Sequence, residues 1–392
     1  MNSLRFSASS PSSPSNGRLF APRVFTAVLV ATALLAVLPV LNLVFEPGHL
    51  LHVSAYTISL LGKFMCYAIA ALALDLVWGY TGILSLGHGL FFALGGYAHG
   101  MYLMRAIGRD GVYQSDLPDF MVFLDWKAYP WYWSFSDQFG YAMLLVVLVP
   151  GLLAFVFGFF AFRSRIKGVY FSIITQAMTF AAMLLFFRND TGFGGNNGFT
   201  DFKRILGFTI TAPGTKAALY LVSLAALFGA LMLAAALTRS KLGRVLTGIR
   251  DAESRLMFVG YDPLWFKLFI WTLSAVLCGI AGALYVPQVG IINPGEMSPA
   301  NSIEMVIWVA TGGRGTLIGP IVGAFTVNGL KTWLTSAFPE VWLYVLGLIF
   351  VLVTLFLPRG LVGLGQQVAE RLAVRRVRGG GTPPAQPAKE AA

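Results

Sequence analysis

Charge is scarce in this chain. Only 11% of its 392 residues are Asp, Glu, Lys or Arg, under half of the roughly 25% usual in a soluble domain. With 57% hydrophobic residues and a mean hydropathy of +0.72, that shortage excludes an ordinary water-soluble fold and leaves a polytopic membrane protein. Cysteine is nearly absent as well. Cys66 and Cys278 both lie in apolar runs, so the chain has neither a disulfide framework nor a thiolate metal spacing, and both read as small packing residues. No serine–histidine–acid arrangement, pair of catalytic carboxylates or metal-ligand cluster stands out, which weighs against a membrane enzyme.

What is present is a succession of apolar runs, predicting an all-α protein with about ten transmembrane helices. They fall near 24–45, 60–79, 83–105, 140–162, 169–187, 216–238, 268–287, 300–311, 316–337 and 341–357. The eighth is short for a full crossing and follows Asn293-Pro294-Gly295, so a tilted or re-entrant segment is an alternative there. Residues 1–23, rich in Ser and Pro, read as a disordered N-tail. Residues 24–363 read as the membrane domain, and 364–392 as a basic, low-complexity C-tail. The first apolar run is too long for a signal-peptide core and has no convincing cleavage site after it, so it is expected to remain as a span.

Ten crossings put both termini on one side. The net charge of +11 then has a simple explanation in the bias of Lys and Arg toward cytoplasmic loops. The proposed inner segments carry nineteen basic residues: three in the N-tail, three in 163–167, six in 239–267, Arg314, and six from Arg359 onward. The outer segments carry seven, and Lys63 and Lys331 sit near span ends, where long stems can snorkel. Both termini are therefore expected in the cytoplasm, and the basic charge calls for no nucleic acid.

One stretch departs from a plain anchor. Residues 75–104, DLVWGYTGILSLGHGLFFALGGYAHGMYLM, contain seven glycines together with Asp75, His88 and His99. Glycine lets helix backbones approach closely in lipid, and polar side chains within such a bundle mark a path for something to cross. Thr81, Ser85 and His88 are the candidates for that path, with Asn196 and Asn197 of the outer loop TGFGGNNGFTDF. Amides suit a small, neutral, hydrogen-bonding solute because they donate and accept; an ordinary turn-rich loop is the plainer alternative. His88 and His99 are eleven positions apart, near one helical face but too far to share a metal, and hydrogen-bonded structural histidines are the simpler expectation. Asp75 and Glu304 are the only acids placed within spans.

Three loops carry further signals. Residues 106–139 hold five Asp beside Trp126, Tyr129, Trp131, Tyr132 and Trp133. They predict an aromatic belt at the membrane interface, with a docking surface for an external partner as the other possibility. Residues 239–267 follow a helical period from Leu242 to a stop at Gly260, with Arg244, Arg250, Asp251, Glu253 and Arg255 on the polar face. A lipid-surface helix favours Lys and Arg alone; mixed charge predicts contact with a soluble protein. The turns Gly79-Tyr80-Thr81-Gly82 and Gly312-Gly313-Arg314-Gly315 share a G-x-x-G form and hint at an internal repeat. Neither has the G-x-x-x-x-G-K-[ST] spacing of a phosphate loop, so any ATP-driven movement must draw on another subunit.

The segments GYTGILSLGHGLFFALGGY, TGFGGNNGF, LGRVLTGIRDAESRLMFVGYD and GGRGTLIGPIVGAF resemble, in order, the permease subunits of branched-chain-amino-acid-type ABC importers. The likeness runs from about Leu60 to Gly363. The insertion GVYQSDLPDFMVFLDWKAYPWYW and the motif DLVWGYTG, with Asp75 where the amino-acid branch usually has Asn, resemble the urea-transporting branch. The resemblance implies a multi-pass subunit of the bacterial inner membrane that is not itself an enzyme. It would pair with a homologous second permease, two ABC ATPase subunits holding ATP and Mg, and a periplasmic substrate-binding protein. The chain itself would carry no cofactor and no metal. Residues 239–267 would be the coupling element, with Arg250, Asp251, Glu253 and Gly260 as the ATPase contacts, although the segment departs from the full EAA pattern of many importers. A permease for branched-chain or other amino acids, and a proton-coupled secondary transporter using Asp75, Glu304 and His88, are the competing expectations.

Overall fold

Lipid cannot satisfy backbone N–H and C=O groups, so each apolar run must close its own hydrogen bonds as a helix. The computed structural model describes residues 22–46, 48–356 and 360–365. The expected N-tail, apart from its last two residues, and nearly all of the C-tail lie outside the described residues. The long helices are α1 (Pro22–Val44), α2 (Ala55–Thr81), α3 (His88–Arg105), α5 (Phe139–Arg163), α6 (Val169–Phe187), α7 (Pro213–Arg239), α8 (Lys241–Phe258), α9 (Pro263–Val289), α10 (Pro299–Gly312), α11 (Ile318–Ala337) and α12 (Trp342–Phe356), and a one-turn α4 spans Asp119–Phe123. Six of them, α1, α2, α5, α6, α7 and α9, are long and apolar enough to cross a membrane by length and composition. Helices α3, α10, α11 and α12 coincide with the remaining four expected spans but are shorter or more polar. Four two-residue strands make two small ladders. β1 (Phe199–Thr200) pairs antiparallel with β4 (Ile291–Ile292), and β2 (Arg204–Ile205) with β3 (Phe208–Thr209).

Helix α9 is the hub of the bundle and packs on α2, α3 and α5. It meets α3 backbone to backbone. A β-carbon on Gly95 would overlap the carbonyl of Gly279, and one on Gly282 would overlap the carbonyl of Phe92. Small residues are therefore required on both sides of this crossing, the packing mode expected where hydrophobicity cannot drive association. From Met65 to Thr81, α2 buries every residue but Tyr67 and Trp78, whereas α5 turns Leu148, Leu152, Phe155 and Phe160 outward.

The two ends of the bundle differ. At one end α8 runs across the termini of α2, α7 and α9. At the other, the 106–138 insertion forms a cap. Its aromatic residues do not form the expected interfacial belt: Trp133 is fully buried, and only Trp131, 84% exposed, faces outward among the five. Trp133 meets Phe199 edge to face at 5.5 Å, and its carbonyl accepts from the Arg105 guanidinium at 3.0 Å. The Tyr132 hydroxyl reaches the carbonyl of Thr191 at 2.6 Å. The cap thus packs on the glycine-rich 191–200 loop.

The expected third span begins later than residue 83. α2 stops at Gly82, whose φ of +76° suits glycine, and residues 83–87 are non-helical before α3 begins at His88. Non-helical backbone at membrane depth must be covered by protein, and α6 covers it. The Ser172 hydroxyl donates to the Leu84 carbonyl at 2.8 Å, and Thr175 Oγ1 accepts from the Leu86 amide at 3.1 Å.

Candidate functional site

The two G-x-x-G turns meet. Asp75 Oδ1 accepts the amide of Gly315 at 2.7 Å, and the Tyr80 hydroxyl donates to the Gly315 carbonyl at 3.3 Å. Gly79 lies so close to Gly315 that an added β-carbon would clash with its backbone. Gly360 presses on Gly313 in the same way, and the Arg314 guanidinium lies 5.1 Å from the Trp78 ring centroid. α8 closes this knot: the Arg250 guanidinium donates to the Gly79 carbonyl at 2.8 Å while also pairing with Asp251 at 2.8 Å.

α8 is not one straight helix. Ala252 has φ −159° and ψ 67°, which breaks it between Asp251 and Glu253. The second arm is tied separately. Glu253 pairs with Lys167 of the α5–α6 loop at 2.8 Å and with Lys267 of α9 at 2.5 Å. Burial works against the Glu253 charge, but hydrogen bonds from Lys167 and Lys267 outweigh it and hold the carboxyl below its usual 4.5.

Of the expected coupling residues, Arg250 and Glu253 bond to the bundle itself. Asp251, 59% exposed, and Gly260, at φ +92° with nothing within 4 Å of an added β-carbon, remain open. An apolar edge that the sequence reading passed over lies beside them: Phe258 is 92% and Val259 75% exposed. Lys167 and Lys267, the partners of Glu253, were also missed; their only sequence signal was position at the ends of neighbouring spans.

The five residues expected along a solute path do not form one site. Thr81 is buried and its hydroxyl donates one turn back to Val77 at 2.6 Å. Ser85 and His88 are fully buried. His88 Nδ1 lies 3.1 Å from Ser85 Oγ, and Nε2 lies 2.8 Å from Ser274 Oγ, so both ring nitrogens are occupied in helix packing. His99 Nδ1 lies 2.7 Å from the Ala283 carbonyl. Asn196 and Asn197 stand exposed at the cap end, in a turn set by Gly194, Gly195 and Gly198, all at positive φ.

Glu304 has a partner that the sequence reading did not assign. Lys331 of α11, expected to snorkel at a span end, instead reaches both Glu304 oxygens, at 2.9 and 2.8 Å. One turn on, exposed Thr335 donates its hydroxyl to the Lys331 carbonyl at 2.7 Å. Complementary charges on two consecutive spans were the available signal. Among the described residues, no group of His, Cys, Asp and Glu could hold a metal ion.

Residues 56–354 match the family described as "Branched-chain amino acid transport system / permease component". The chain belongs to that family. It is 25% identical over 334 residues to the high-affinity branched-chain amino acid transport system permease protein LivM of Escherichia coli (strain K12), covering 79% of this chain and 71% of that protein. The LivM of Salmonella typhimurium is 26% identical, with 76% and 68% covered. A probable branched-chain amino acid transport permease LivM of Methanocaldococcus jannaschii is also 26% identical, with 76% and 91% covered. No solved structure matches. The chain is thus an ABC-type permease and a multi-pass inner-membrane protein; its relatives are transport subunits, not enzymes.

Proposed function

We propose that this permease forms, with a homologous second permease, the translocation pathway of an ATP-driven importer of urea. Two ATPase subunits dock at the α8 end, which lies in the cytoplasm, and a periplasmic binding protein delivers solute at the cap end. ATP and Mg belong to the ATPase subunits. The observation that carries the reading is the double tie of α8, through Arg250 to the Gly79 turn at 2.8 Å and through Glu253 to Lys167 at 2.8 Å. A force applied to α8 reaches α2 by one tie and the α5–α6 loop by the other. Nucleotide-driven movement of a docked ATPase can then reorient the bundle, whereas solute binding alone cannot sustain uphill import. The nineteen basic residues expected on the inner side, against seven on the outer, support the orientation.

The urea assignment is supported by the 106–138 insertion, by Asp75 in DLVWGYTG and by the exposed amides Asn196 and Asn197. Import of a branched-chain amino acid is the second reading, favoured by the names of the relatives. Proteoliposomes holding the complete complex decide between them: urea accumulation that needs ATP, persists with a protonophore and is not displaced by excess leucine supports urea. Leucine accumulation without urea uptake overturns it. Loss of uptake on collapse of the proton gradient with ATP maintained would point to secondary transport.

A further inference from the structure

Near the cap end, four charges lie on neighbouring elements, where α2 packs on α10 and α11. They are Lys63 of α2, Glu296 of the turn between α9 and α10, Glu304 of α10 and Lys331 of α11. Their charges cancel. Glu304 and Lys331 satisfy each other. Glu296 and Lys63 do not. Glu296 Oε1 accepts from the Tyr285 hydroxyl at 3.1 Å and Oε2 from the Asn301 amide at 3.2 Å, both neutral donors. Lys63 makes no ion pair among the described residues; its ammonium lies 5.6 Å from the Tyr67 ring centroid, a cation–π contact that uses none of its three N–H bonds in a hydrogen bond.

Lys63, Tyr67, Glu296, Asn301 and Lys331 are all only partly buried. Two tyrosines link the two groups: the Tyr67 ring beside the Lys63 ammonium lies 5.6 Å from the Tyr285 ring, and the Tyr285 hydroxyl donates to Glu296. Lipid against such a face would be costly, so water, protein or a polar solute must cover it. An ammonium with spare donors, joined through two tyrosines to a carboxylate with spare lone pairs, is complementary to a molecule that carries an acceptor oxygen next to an amino nitrogen.

We propose that Lys63 and Glu296 together bind the solute in transit. Lys63 donates to a carbonyl or carboxyl oxygen, and Glu296 accepts from an amino nitrogen on the same molecule. The Glu304–Lys331 pair keeps the surroundings neutral, so a solute of net charge is disfavoured. Urea and an α-amino acid present this same pair of groups. The inference rests on the transport reading above and names the residues that meet its substrate.

The test measures uptake of urea and of leucine by the complete complex in proteoliposomes, with Lys63→Met, Lys63→Arg and Glu296→Gln. A hydrogen bond to a charged group accounts for roughly tenfold in affinity or more. Lys63→Met should therefore raise KM about tenfold with Vmax and ATP hydrolysis little changed, and Lys63→Arg should recover most of the loss. Glu296→Gln, equal in size and independent of Lys63→Met folding, should raise KM several-fold for urea, whose nitrogens are neutral, and more than tenfold for leucine, whose ammonium needs a counter-charge. Wild-type KM in both Lys63→Met and Glu296→Gln, or a fall in Vmax alone, overturns the inference and leaves the transport reading standing. A wild-type complex that carries neither solute overturns both.

Discussion

Arg250 and Gly79 are 171 residues apart in sequence and 2.8 Å apart in space, with the guanidinium of one donating to the carbonyl of the other. The carbonyl belongs to the last turn of α2, a helix buried along most of its second half, and Arg250 belongs to α8 on the surface. A cation at the C-terminal end of a helix is favourably placed, and here it joins an outer lever to an inner shaft.

Arg250→Ala should break that joint. The complex should assemble normally, because Arg250 is at the surface of the knot, but solute-stimulated ATP hydrolysis and uptake should fall by about tenfold or more, the value of a charge-assisted hydrogen bond. Lys cannot serve Gly79 and Asp251 at once with one planar fork, so Arg250→Lys should recover little. ATPase assays with and without solute in proteoliposomes check both outcomes.

Glu253→Gln should loosen the second arm of α8. It removes the counter-charge from Lys267, whose side chain is 10% exposed, at a cost of about 1–3 kcal/mol. Because Lys167 and Lys267 hold the Glu253 carboxyl below 4.5, the wild-type tie is complete above that value and is lost as pH falls through the lower folded-state value. Hydrogen exchange at 253–258 should stay constant from neutral pH down to about 5 and speed up, relative to the intrinsic rate, in stronger acid. Equal protection of wild type and Glu253→Gln at neutral pH would refute the tie.

Asp75→Asn and Asp75→Ala should separate cleanly. Asparagine keeps an acceptor for the Gly315 amide and gains a donor at the position of Oδ2, which has no partner among the described residues. Alanine leaves the buried amide unsatisfied, a loss of about 1–3 kcal/mol. Thermal unfolding in detergent should place Asn near wild type and Ala clearly below it.

Gly282→Ala should prevent the close crossing of α3 and α9, since the new methyl group would overlap the Phe92 carbonyl. Backbone cannot yield as a flexible side chain does. Gly229→Ala, with nothing within 4 Å of the added carbon, is the matched control. The yield of folded protein by size-exclusion chromatography should fall sharply for the first and not for the second.

Much of the fold is legible in the chain because lipid leaves so few options. The run at 169–187 is α6 to the residue, and the expected spans at 140–162 and 300–311 lie within one residue of α5 and α10. The error at 83–87 is physical: those residues are apolar enough to read as helix, yet the hydroxyls of Ser172 and Thr175, 88 and 89 positions away, bond their backbone in a non-helical path. The aromatic cluster was misread for a similar reason. Trp133 has the composition of an interfacial belt, and only its contact with Phe199 shows that it is core.

The amino-acid order alone determined that this is a helical membrane protein, roughly where its long helices lie, and which family it joins. Apolar length and glycine spacing are local properties, and a bilayer forces them into helices. Tertiary structure decided which polar groups meet. It sealed His88 between Ser85 and Ser274, paired Glu304 with Lys331, turned Arg250 and Glu253 inward and left Lys63 without an ion pair among the described residues. Those outcomes depend on how helices far apart in the chain are rotated against one another, and no local period carries that information.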